Sequence, residues 1–464
     1  MDIVAHAART FGNTPAIITA ERRWSFADLD GETARIASAF EANGVKPGDI
    51  VALVAPNSAL LMLTLMALVR IGAVAAPVNH RFPASHIDGV IQRLKPALTL
   101  DAAALEAFVA EALAGGDSAF TAASDIQRRV SIIHTSASSG QPKAAMHNLA
   151  NHWYSATGSA ENLPFGPGDC WLLSLPLYHV GGYSMLYKCL LGGGSLVIPS
   201  PDASIAESLA SFPVTHLSLV PTQLYRMLRT GGGPERLRCL KALLLGGSAV
   251  SPSLLDEAIR ERVPLYLTYG STEMSTQVST SPAPVTSAQG DSGVVLRYRE
   301  VAISADGEIL VKGECLFMGY LEDGGLRTAR DAEEWFHTGD MGELSADRRL
   351  TVLGRKDSMF ISGGENIHPE EIEKALTAIK GIEEAVVVPA PDAEYGMRPV
   401  AWIKERQNSG PDDAAIIASL SNTLGKLKTP VRITRIQEWQ TLPGSAKIDR
   451  GWYRKLAEGQ SGIK

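Results

Sequence analysis

The chain has 464 residues, of which 45% are hydrophobic and 20% are charged. This composition is ordinary for a globular protein, and the length predicts about three structural units at roughly 150 residues each. The formal net charge of −7 gives no support for a basic nucleic-acid-binding surface, so we expect no nucleic-acid partner.

The spacing of the cysteines does not suit a metal site or a disulfide framework. They are Cys170, Cys189, Cys239 and Cys315. We expect free thiols in a reducing compartment. The N-terminus lacks the basic start and long apolar run of a signal peptide. The most apolar stretch, residues 59–69, ends at Arg70 and is too short to span a bilayer. These features predict a cytoplasmic protein without a membrane span.

The first 125 residues alternate helical patterns with short apolar strands. We predict a helix over 26–43, a strand over 49–54, a helix over 58–71 and a strand over 72–77. A second run of this kind follows, with strands at 170–175, 195–198, 216–220 and 242–245 and a helix near 185–191. Alternation of strands and helices is typical of a parallel sheet covered by helices, so two doubly wound α/β layers are expected.

Helical periodicity disappears between about 282 and 353. Short β segments at 308–311 and 350–353 lie between Gly- and Asp-rich turns, which favours an antiparallel barrel or sandwich. The following residues have an α+β pattern, with a helix over 369–379 and strands at 384–389 and 398–403.

These patterns predict a large N-terminal domain, residues 1–354, and a small α+β C-terminal domain, residues 355–464. Within the large domain we expect α/β lobes at about 1–160 and 161–281 and a β-barrel subdomain at 282–353.

A hydroxyl-rich loop follows the apolar strand predicted at 130–133. It reads Thr135-Ser136-Ala137-Ser138-Ser139-Gly140-Gln141-Pro142-Lys143. Hydroxyls, free backbone N–H groups and a lysine form a surface that suits phosphate. The Walker A pattern G-x-x-x-x-G-K-[ST] is absent. Position after a buried strand favours a phosphate loop over a flexible linker.

This loop resembles the signature of the adenylate-forming superfamily, which includes acyl-CoA synthetases, luciferases and the adenylation domains of peptide synthetases. The family usually has glycine where Ala137 stands, and alanine limits positive φ and close approach of a triphosphate there. The resemblance implies ATP-dependent formation of an acyl-AMP with release of pyrophosphate, with Mg²⁺ as cofactor. It also implies transfer of the acyl group to coenzyme A and a C-terminal domain that is mobile.

Two further loops match the family in the same order. In Leu175-Pro176-Leu177-Tyr178-His179 the resemblance places His179 beside the reacting carboxylate. In Leu244-Leu245-Gly246-Gly247-Ser248, the glycine pair and Ser248 would let a base or ribose approach the backbone. A core histidine and a plain tight turn are the structural alternatives for these loops taken singly.

The strongest short match is Tyr269-Gly270-Ser271-Thr272-Glu273. By resemblance, Tyr269 stacks on adenine, Thr272 contacts the α-phosphate and Glu273 holds Mg²⁺. A carboxylate together with phosphate oxygens is a ligand set that Mg²⁺ favours.

Later motifs concern the ribose and the hinge. Trp335-Phe336-His337-Thr338-Gly339-Asp340 implies that Asp340 accepts hydrogen bonds from the ribose hydroxyls. In Gly354-Arg355-Lys356-Asp357, Arg355 would contact ribose or phosphate and Asp357 would be the hinge.

Two C-terminal segments complete the match. The glycines Gly363 and Gly364, in Ser362-Gly363-Gly364-Glu365-Asn366, would face the pantetheine thiol of CoA after rotation of the C-terminal domain. Lys447, in Gly444-Ser445-Ala446-Lys447, would be the adenylation lysine that touches the carboxylate and the α-phosphate. The resemblance extends from about residue 5 to residue 455.

Within the superfamily, the finer resemblance is to o-succinylbenzoate–CoA ligases of menaquinone biosynthesis. It rests on Asn151-His152-Trp153, on residues 218–224, on residues 244–249 and on Tyr395-Gly396-x-Arg398-Pro399. A substrate with a second carboxylate needs a cation in its pocket, and Lys188 and Arg226 are the candidates. For both, an outward-facing helix charge is the equally weighted alternative.

Other functions stay open at this level. Another aryl- or fatty-acid–CoA ligase, or a stand-alone adenylation domain that loads a carrier protein, would share these motifs. Gly290-Asp291-Ser292-Gly293 resembles a serine-protease segment, but no histidine partner is identifiable. The protein could be a non-catalytic nucleotide binder only if Ala137, or another departure from the family's motifs, abolishes turnover. The motifs leave a homodimer open.

Overall fold

The computed structural model describes residues 2–116, 120, 122–135, 143–248, 250–288, 291–323, 325–362, 365–392, 394–406, 410–442 and 447–459. None of the helices in these ranges combines the length and the apolar character needed to cross a membrane.

The helices are α1 (Ile3–Phe11), α2 (Phe26–Ala42), α3 (Ala59–Ile71), α4 (Ala84–Leu94), α5 (Ala102–Ala114), α6 (Leu149–Asn162), α7 (Val180–Gly192), α8 (Ile205–Ser211), α9 (Pro221–Arg229), α10 (Gly233–Arg238), α11 (Pro252–Arg260), α12 (Pro369–Ala378), α13 (Asp413–Leu424) and α14 (Arg450–Ala457). A short 3₁₀ turn spans Lys356–Ser358.

The strands are β1 (Pro15–Ile18), β2 (Arg23–Ser25), β3 (Ile50–Val54), β4 (Val74–Pro77), β5 (Leu98–Asp101), β6 (Arg129–His134), β7 (Ala144–Asn148), β8 (Cys170–Leu172), β9 (Ser195–Val197), β10 (His216–Leu219), β11 (Ala242–Leu245), β12 (Leu265–Ser271), β13 (Thr276–Thr280), β14 (Val294–Val295), β15 (Glu300–Ile303), β16 (Glu308–Lys312), β17 (Gly319–Glu322), β18 (Gly325–Arg327), β19 (Phe336–Leu344), β20 (Leu350–Arg355), β21 (Phe360–Ser362), β22 (Glu365–Ile367), β23 (Ile382–Asp392), β24 (Gly396–Glu405) and β25 (Arg432–Arg435).

Local signals in the sequence explain where the early helices begin and end. The side chain of Ser25 and that of Asp28 form a reciprocal capping box at the start of α2. Ser58 caps α3, and Gly72 ends it in the left-handed region with φ 75°. Every residue of α3 except Leu60 is buried, so the most apolar stretch of the sequence is a core helix.

Two large mixed sheets form the N-terminal domain. One has the strand order β18-β17-β7-β6-β4-β3-β5, and the other β14-β13-β12-β11-β10-β8-β9-β1-β2. The inner strands from β12 to β1 are parallel, as are β6, β4, β3 and β5, and antiparallel strands complete the edges. A single apolar cluster joins α3 and α7 to strands of both sheets. The predicted doubly wound α/β class is confirmed.

The predicted lobe boundaries do not coincide with these sheets, and this is a correction. Strands β1 and β2 lie within the predicted lobe 1–160 but extend the sheet that contains residues 170–280. Strands β17 and β18 lie within the predicted subdomain 282–353 but pair with β7 of the other sheet. Alternating hydrophobicity identifies a strand and its buried face, but it does not specify the partner at a sheet edge.

The predicted β-barrel region folds as a four-stranded antiparallel sheet in the order β15-β16-β19-β20. An isolated bridge between Val294 and Arg349 connects it to β14. Its inner face packs into a small apolar cluster that includes Ile309, Val311 and Phe336.

The small C-terminal domain has its own core. Strands β23 and β24 pair antiparallel along their length, and β25 joins β24 in parallel. Helix α12 begins at Pro369, carries Glu370 and Glu371 in its first turn, and packs on β23. The predicted boundary at 354/355 falls where β20 ends and the 3₁₀ turn begins, and its position remains a prediction.

Candidate active site

The sequence-predicted residues of the large domain cluster where parallel strands end. The phosphate loop follows β6, the Gly246-Gly247 pair follows β11, and Thr272 and Glu273 follow β12. The loop with His179 follows β8. Ligands of open α/β sheets bind outside the carboxyl ends of the strands, so this edge is the candidate site.

The two ends of the phosphate loop are tied together. The Thr135 N–H donates to the Lys143 carbonyl at 2.9 Å, and the Lys143 N–H donates to Thr135 Oγ1 at 3.3 Å. Lys143 is exposed, and its Nζ lies 5.1 Å from the centroid of the Tyr320 ring. The predicted phosphate ligands between these ends, Ser136, Ser138, Ser139 and Gly140, lie outside the described residues.

Glu273 and the preceding Thr272 are held by three neighbouring groups. The Tyr320 hydroxyl donates to Glu273 Oε1 at 2.6 Å, and the Phe317 N–H donates to the Glu273 carbonyl at 2.7 Å. His147 Nε2 donates to the carbonyl of the preceding Thr272 at 2.8 Å. Burial lowers the pKa of His147 to about 4, so this imidazole is neutral at physiological pH and carries its proton on Nε2.

Backbone geometry around Glu273 is tight and strained. A Cβ on Gly270 would stand 1.9 Å from the Thr276 carbonyl oxygen, which explains why glycine occupies that position. Ser275 and Thr276 have φ of 54° and 125°, a conformation that persists only where neighbours enforce it. The Ser155 hydroxyl does so by donating to the Ser275 carbonyl at 2.9 Å.

The residues at this position fit Mg²⁺. Tyr320 is the one side chain among the described residues that donates to the Glu273 carboxylate, so the second oxygen is available. The described residues contain no cluster of three or more His, Cys, Asp or Glu side chains suited to a metal. Mg²⁺ commonly uses one or two carboxylates together with substrate phosphates rather than an all-protein cage.

Tyr269, Asp340 and Arg355 meet in the region predicted for adenosine. The Tyr269 hydroxyl donates to Asp340 Oδ2 at 2.6 Å, and Arg355 Nη1 donates to Asp340 Oδ1 at 3.0 Å. Burial, and then the Asp340 charge, raise the pKa of Tyr269, so its phenol stays protonated. Asp340 is therefore fixed from two sides, and its remaining lone pairs can accept ribose hydroxyls.

The glycine turn after β11 is also tight. A Cβ on Gly246 would stand 2.7 Å from Thr268 Cγ2, and Gly247 has φ 88°. Ser248 is exposed beside them. This turn has the bare backbone that the sequence predicted for approach of a base or ribose.

Lys447 comes to the site from the C-terminal domain. The Thr441–Ile448 bridge and the hydrogen bond from the Leu442 N–H to the Lys447 carbonyl, 2.9 Å, hold its backbone. Loss of solvation, and then the Arg355 charge, lower the pKa of Lys447. Loss of solvation, and then the Lys447 charge, lower the pKa of His179 to about 4. Lys447 is thus within electrostatic reach of Arg355 and His179, close to the groups predicted to act with it.

The predicted hinge is an exposed ion pair. Arg355 Nε donates to Asp357 Oδ1 at 3.1 Å. Gly354 has φ 148°, and a Cβ there would stand 2.6 Å from Glu370 Oε2 of α12. The predicted CoA-facing glycines, Gly363 and Gly364, lie outside the described residues.

The two candidate acid anchors occupy different environments. Lys188 is buried on α7, donates to Gln277 Oε1 at 2.9 Å, and lies 4.8 Å from the Trp171 ring centroid. Burial, and then the Arg299 charge, lower the pKa of Lys188 to about 7. Arg226 is exposed on α9. The outward-facing alternative therefore describes Arg226 and not Lys188.

Sequence reasoning missed Tyr320, Phe317 and His147. The local sequence signal was the glycine at position 319. Its φ is 145°, and a Cβ there would stand 2.3 Å from the Arg327 carbonyl oxygen, so this strand is crowded. A tyrosine and a phenylalanine in a β region otherwise indicate core residues, which these also are.

The two-domain fold and the arrangement of its site define a nucleotide-binding enzyme. Residues 4–321 match the family model described as AMP-binding enzyme, and residues 371–445 match that of the AMP-binding enzyme C-terminal domain. The chain therefore belongs to the AMP-binding enzyme family.

Particular relatives narrow this further. The chain is 36% identical over 415 residues to a 2-succinylbenzoate–CoA ligase of Salmonella typhimurium, covering 89% of this chain and 87% of that protein. A variant of E. coli MenE with bound OSB-AMS has a TM-score of 0.82 at 30% identity, covering 99% and 98% of the two chains. The o-succinylbenzoate coenzyme A synthetase (MenE) from Bacillus subtilis, in complex with ATP and magnesium ion, has a TM-score of 0.84 at 27% identity, covering 97% and 98%.

Proposed function

We propose that this protein is an ATP-dependent acid–CoA ligase whose substrate is 2-succinylbenzoate. The observation that carries this proposal is the position of Lys447, which comes from the small domain and lies within electrostatic range of His179 and Arg355. A lysine delivered in this way supplies positive charge where negative charge develops during adenylation.

In the first half-reaction, an oxygen of the acid's carboxylate attacks the α-phosphorus of ATP. The bond from that phosphorus to the bridging oxygen breaks, and pyrophosphate leaves with the electron pair. Thr272 and Lys447 hold the α-phosphate, while Asp340 and Tyr269 orient the nucleoside. Bound Mg²⁺, held by Glu273 and phosphate oxygens, would supply charge neutralisation at the triphosphate.

In the second half-reaction, the CoA sulfur attacks the acyl carbon, the acyl–oxygen bond breaks, AMP leaves, and the thiol proton passes to solvent. The Lys447 side chain and the CoA thiol cannot both lie next to the acyl group at the same time. Rotation of the small domain about Asp357 would withdraw Lys447 and bring the segment with Gly363 and Gly364 to the site, a hinge motion of a common kind.

The choice of acid rests on Lys188 and on the relatives. Among the described residues, Lys188 donates to the neutral side chain of Gln277, and no carboxylate pairs with it. A buried ammonium is costly without a counter-ion, and the second carboxylate of 2-succinylbenzoate would provide one. The Salmonella typhimurium and Bacillus subtilis relatives carry that substrate in their names.

Release of pyrophosphate tests the function directly. The full-length protein with ATP and Mg²⁺ is offered 2-succinylbenzoate, benzoate, other aryl acids or fatty acids, with and without CoA. We expect pyrophosphate only with 2-succinylbenzoate and the thioester only when CoA is added, both followed by mass spectrometry. Preference for another acid would refute the substrate, and faster loading of a carrier-protein phosphopantetheine than of CoA would refute the acceptor.

A further inference from the structure

Tyr320 lies on a strand that joins distant parts of the site. Strand β17 pairs antiparallel with β7, and Tyr320 stands opposite Ala145. Strand β7 begins directly after Lys143, the last residue of the phosphate loop. The pairing therefore places Tyr320 beside the chain that leaves this loop, although 177 residues separate Tyr320 from Lys143.

The segment that contains Tyr320 holds Glu273 at both ends. The Phe317 N–H donates to the Glu273 carbonyl at 2.7 Å, and the Tyr320 hydroxyl donates to Glu273 Oε1 at 2.6 Å. Backbone and carboxylate are thus fixed by residues three positions apart. A carboxylate held in this way does not need to be ordered when a cation arrives, which reduces the cost of binding.

The Tyr320 ring has a second charged neighbour besides Glu273. Lys143 Nζ lies 5.1 Å from its centroid, within the range of a cation–π contact. The edge-on Phe317 ring, with centroids 4.8 Å apart, fixes the orientation of Tyr320. The ring is 5% exposed, so it cannot move away without disturbing the packing.

The Tyr320 hydroxyl is the donor in its contact with Glu273, and the carboxylate oxygen Oε1 accepts the hydrogen bond.

We propose that Tyr320 is a positioning residue for the ATP–Mg²⁺ complex, fixing the Glu273 carboxylate through its hydroxyl and the Lys143 ammonium through its ring. This inference rests on the proposed adenylation function and deepens it, because it links the predicted metal ligand and the predicted phosphate-loop lysine through one side chain. Neither role is apparent from the sequence around Tyr320.

The two contacts can be removed separately. Tyr320→Phe removes the hydroxyl and keeps the ring, whereas Tyr320→Leu removes both. For Tyr320→Phe we expect the Mg²⁺ concentration that half-saturates ATP binding to rise about tenfold, as for loss of a hydrogen bond to a charged group. At saturating Mg²⁺ its ATP affinity should return to within about twofold of wild type, whereas Tyr320→Leu should stay about threefold weaker because the cation–π contact is also lost.

The measurement is calorimetric ATP binding by the full-length protein at a series of Mg²⁺ concentrations, without any acid. Tyr154→Phe is the matched control, since Tyr154 packs against the same apolar cluster through Tyr298 at 4.8 Å. It should bind ATP and Mg²⁺ as wild type does. Thermal unfolding of each variant identifies any loss of folded protein.

Two results would overturn the proposal. One is an unchanged Mg²⁺ requirement in folded Tyr320→Phe, and the other is an equal loss of ATP binding at every Mg²⁺ concentration, which indicates a merely structural role. If Tyr320→Phe does not fold well, a double-mutant cycle with Glu273→Gln gives the answer. Non-additive effects of the two substitutions on the Mg²⁺ requirement would show that Tyr320 acts through Glu273. Additive effects would oppose the proposal.

The test also separates this inference from the proposed function. A wild-type protein that binds ATP with Mg²⁺ but releases no pyrophosphate with any acid would refute the ligase and leave the Tyr320 measurement valid. An active ligase whose Tyr320→Phe variant has a normal Mg²⁺ requirement would refute the inference alone.

Discussion

Lys447 is the residue on which the proposed adenylation chemistry depends most, and its surroundings affect its charge. Loss of solvation and the nearby Arg355 both disfavour the ammonium and lower the pKa of Lys447. A lysine with a lowered pKa loses its proton at a lower pH than usual as the pH rises. The positive charge of Lys447 is therefore lost at a lower pH than that of an ordinary exposed lysine.

Lys447→Ala should slow adenylation far more than thioester formation from supplied acyl-AMP, by at least about a hundredfold, the scale of removing one preorganised charge-stabilising group. Lys447→Arg should move the alkaline fall of kcat/KM for ATP to higher pH, because that profile reports the free enzyme. Stopped-flow half-reactions and a pH series measure both. Equal losses in the two half-reactions would contradict the role.

Lys188 is a second lysine whose pKa is lowered by burial, and no counter-ion pairs with it among the described residues. With its pKa lowered to about 7, it is protonated below that pH and increasingly neutral above it. A substrate carboxylate that pairs with it should bind best on the acidic side of pH 7.

Lys188→Met should therefore raise KM for 2-succinylbenzoate about tenfold or more, the scale of a lost charge-assisted hydrogen bond, and leave KM for ATP unchanged. In the wild type, the KM for the acid should rise with pH through 7, and in Lys188→Met this rise should vanish. Steady-state kinetics between pH 6 and about 8.5 follow the titration range of the group. If KM for the acid rose with pH equally in the wild type and in Lys188→Met, the acid would not contact Lys188.

At the scale of elements, the turn between β12 and β13 carries Glu273, the predicted metal ligand. Gly270 allows the backbones of β12 and β13 to approach more closely than any side chain would permit, since a Cβ would stand 1.9 Å from the Thr276 oxygen. The strained Ser275 and Thr276 follow, so the position of Glu273 depends on this hairpin.

Gly270→Ala should destabilise the protein by about 2 kcal/mol or more, as overpacking does, and weaken ATP binding. Gly31→Ala is the contrasting control: Gly31 lies in α2 with open space around it, and alanine there should stabilise by about 0.5–1 kcal/mol. Thermal unfolding and ATP titration give both quantities. Normal ATP affinity in Gly270→Ala would mean that the hairpin does not position Glu273.

Helices and strands could be predicted from the sequence where the local hydrophobic pattern specifies them. Buried strands such as β3, β8 and β11 appear as short apolar runs. The Gly246-Gly247 pair and Glu273 follow the ends of β11 and β12, whereas Asp340 lies within β19. Partners of the edge strands could not be predicted, because β1 and β17 pair across more than 150 residues of chain. The contacts of Tyr320 were missed for the same reason, since they arise only when β17 lies against β7.

At the scale of the whole molecule, the two domains meet through a cluster of charges. Glu257 of α11 lies 3.3 Å from Arg229 of α9 and 3.5 Å from Arg406, which follows β24 of the small domain. Arg229 also lies 3.8 Å from Glu383 of β23. Glu257 thus faces one guanidinium on each domain, and the cluster favours the orientation that brings Lys447 to the site.

The rotation proposed for the second half-reaction would separate these groups, so their attraction would bias the balance between the two orientations. Half-exposed ion pairs contribute about 0.2–1 kcal/mol each and weaken with salt. Glu257→Gln leaves Arg229 and Arg406 facing each other without the carboxylate. It should reduce the adenylation rate up to about fivefold, which corresponds to that energy, and leave thioester formation from supplied acyl-AMP equal or faster.

Added salt supplies an independent check of the same interface. Raising the ionic strength should lower wild-type adenylation toward the rate of Glu257→Gln, because screening removes the attraction that the substitution removes. Glu300→Gln is the matched control, since Glu300 pairs with Lys312 at 3.5 Å within the large domain alone, and it should behave as wild type. An equal change in both half-reactions, or a salt response in Glu257→Gln as large as in the wild type, would show that these charges do not set the orientation of the domains.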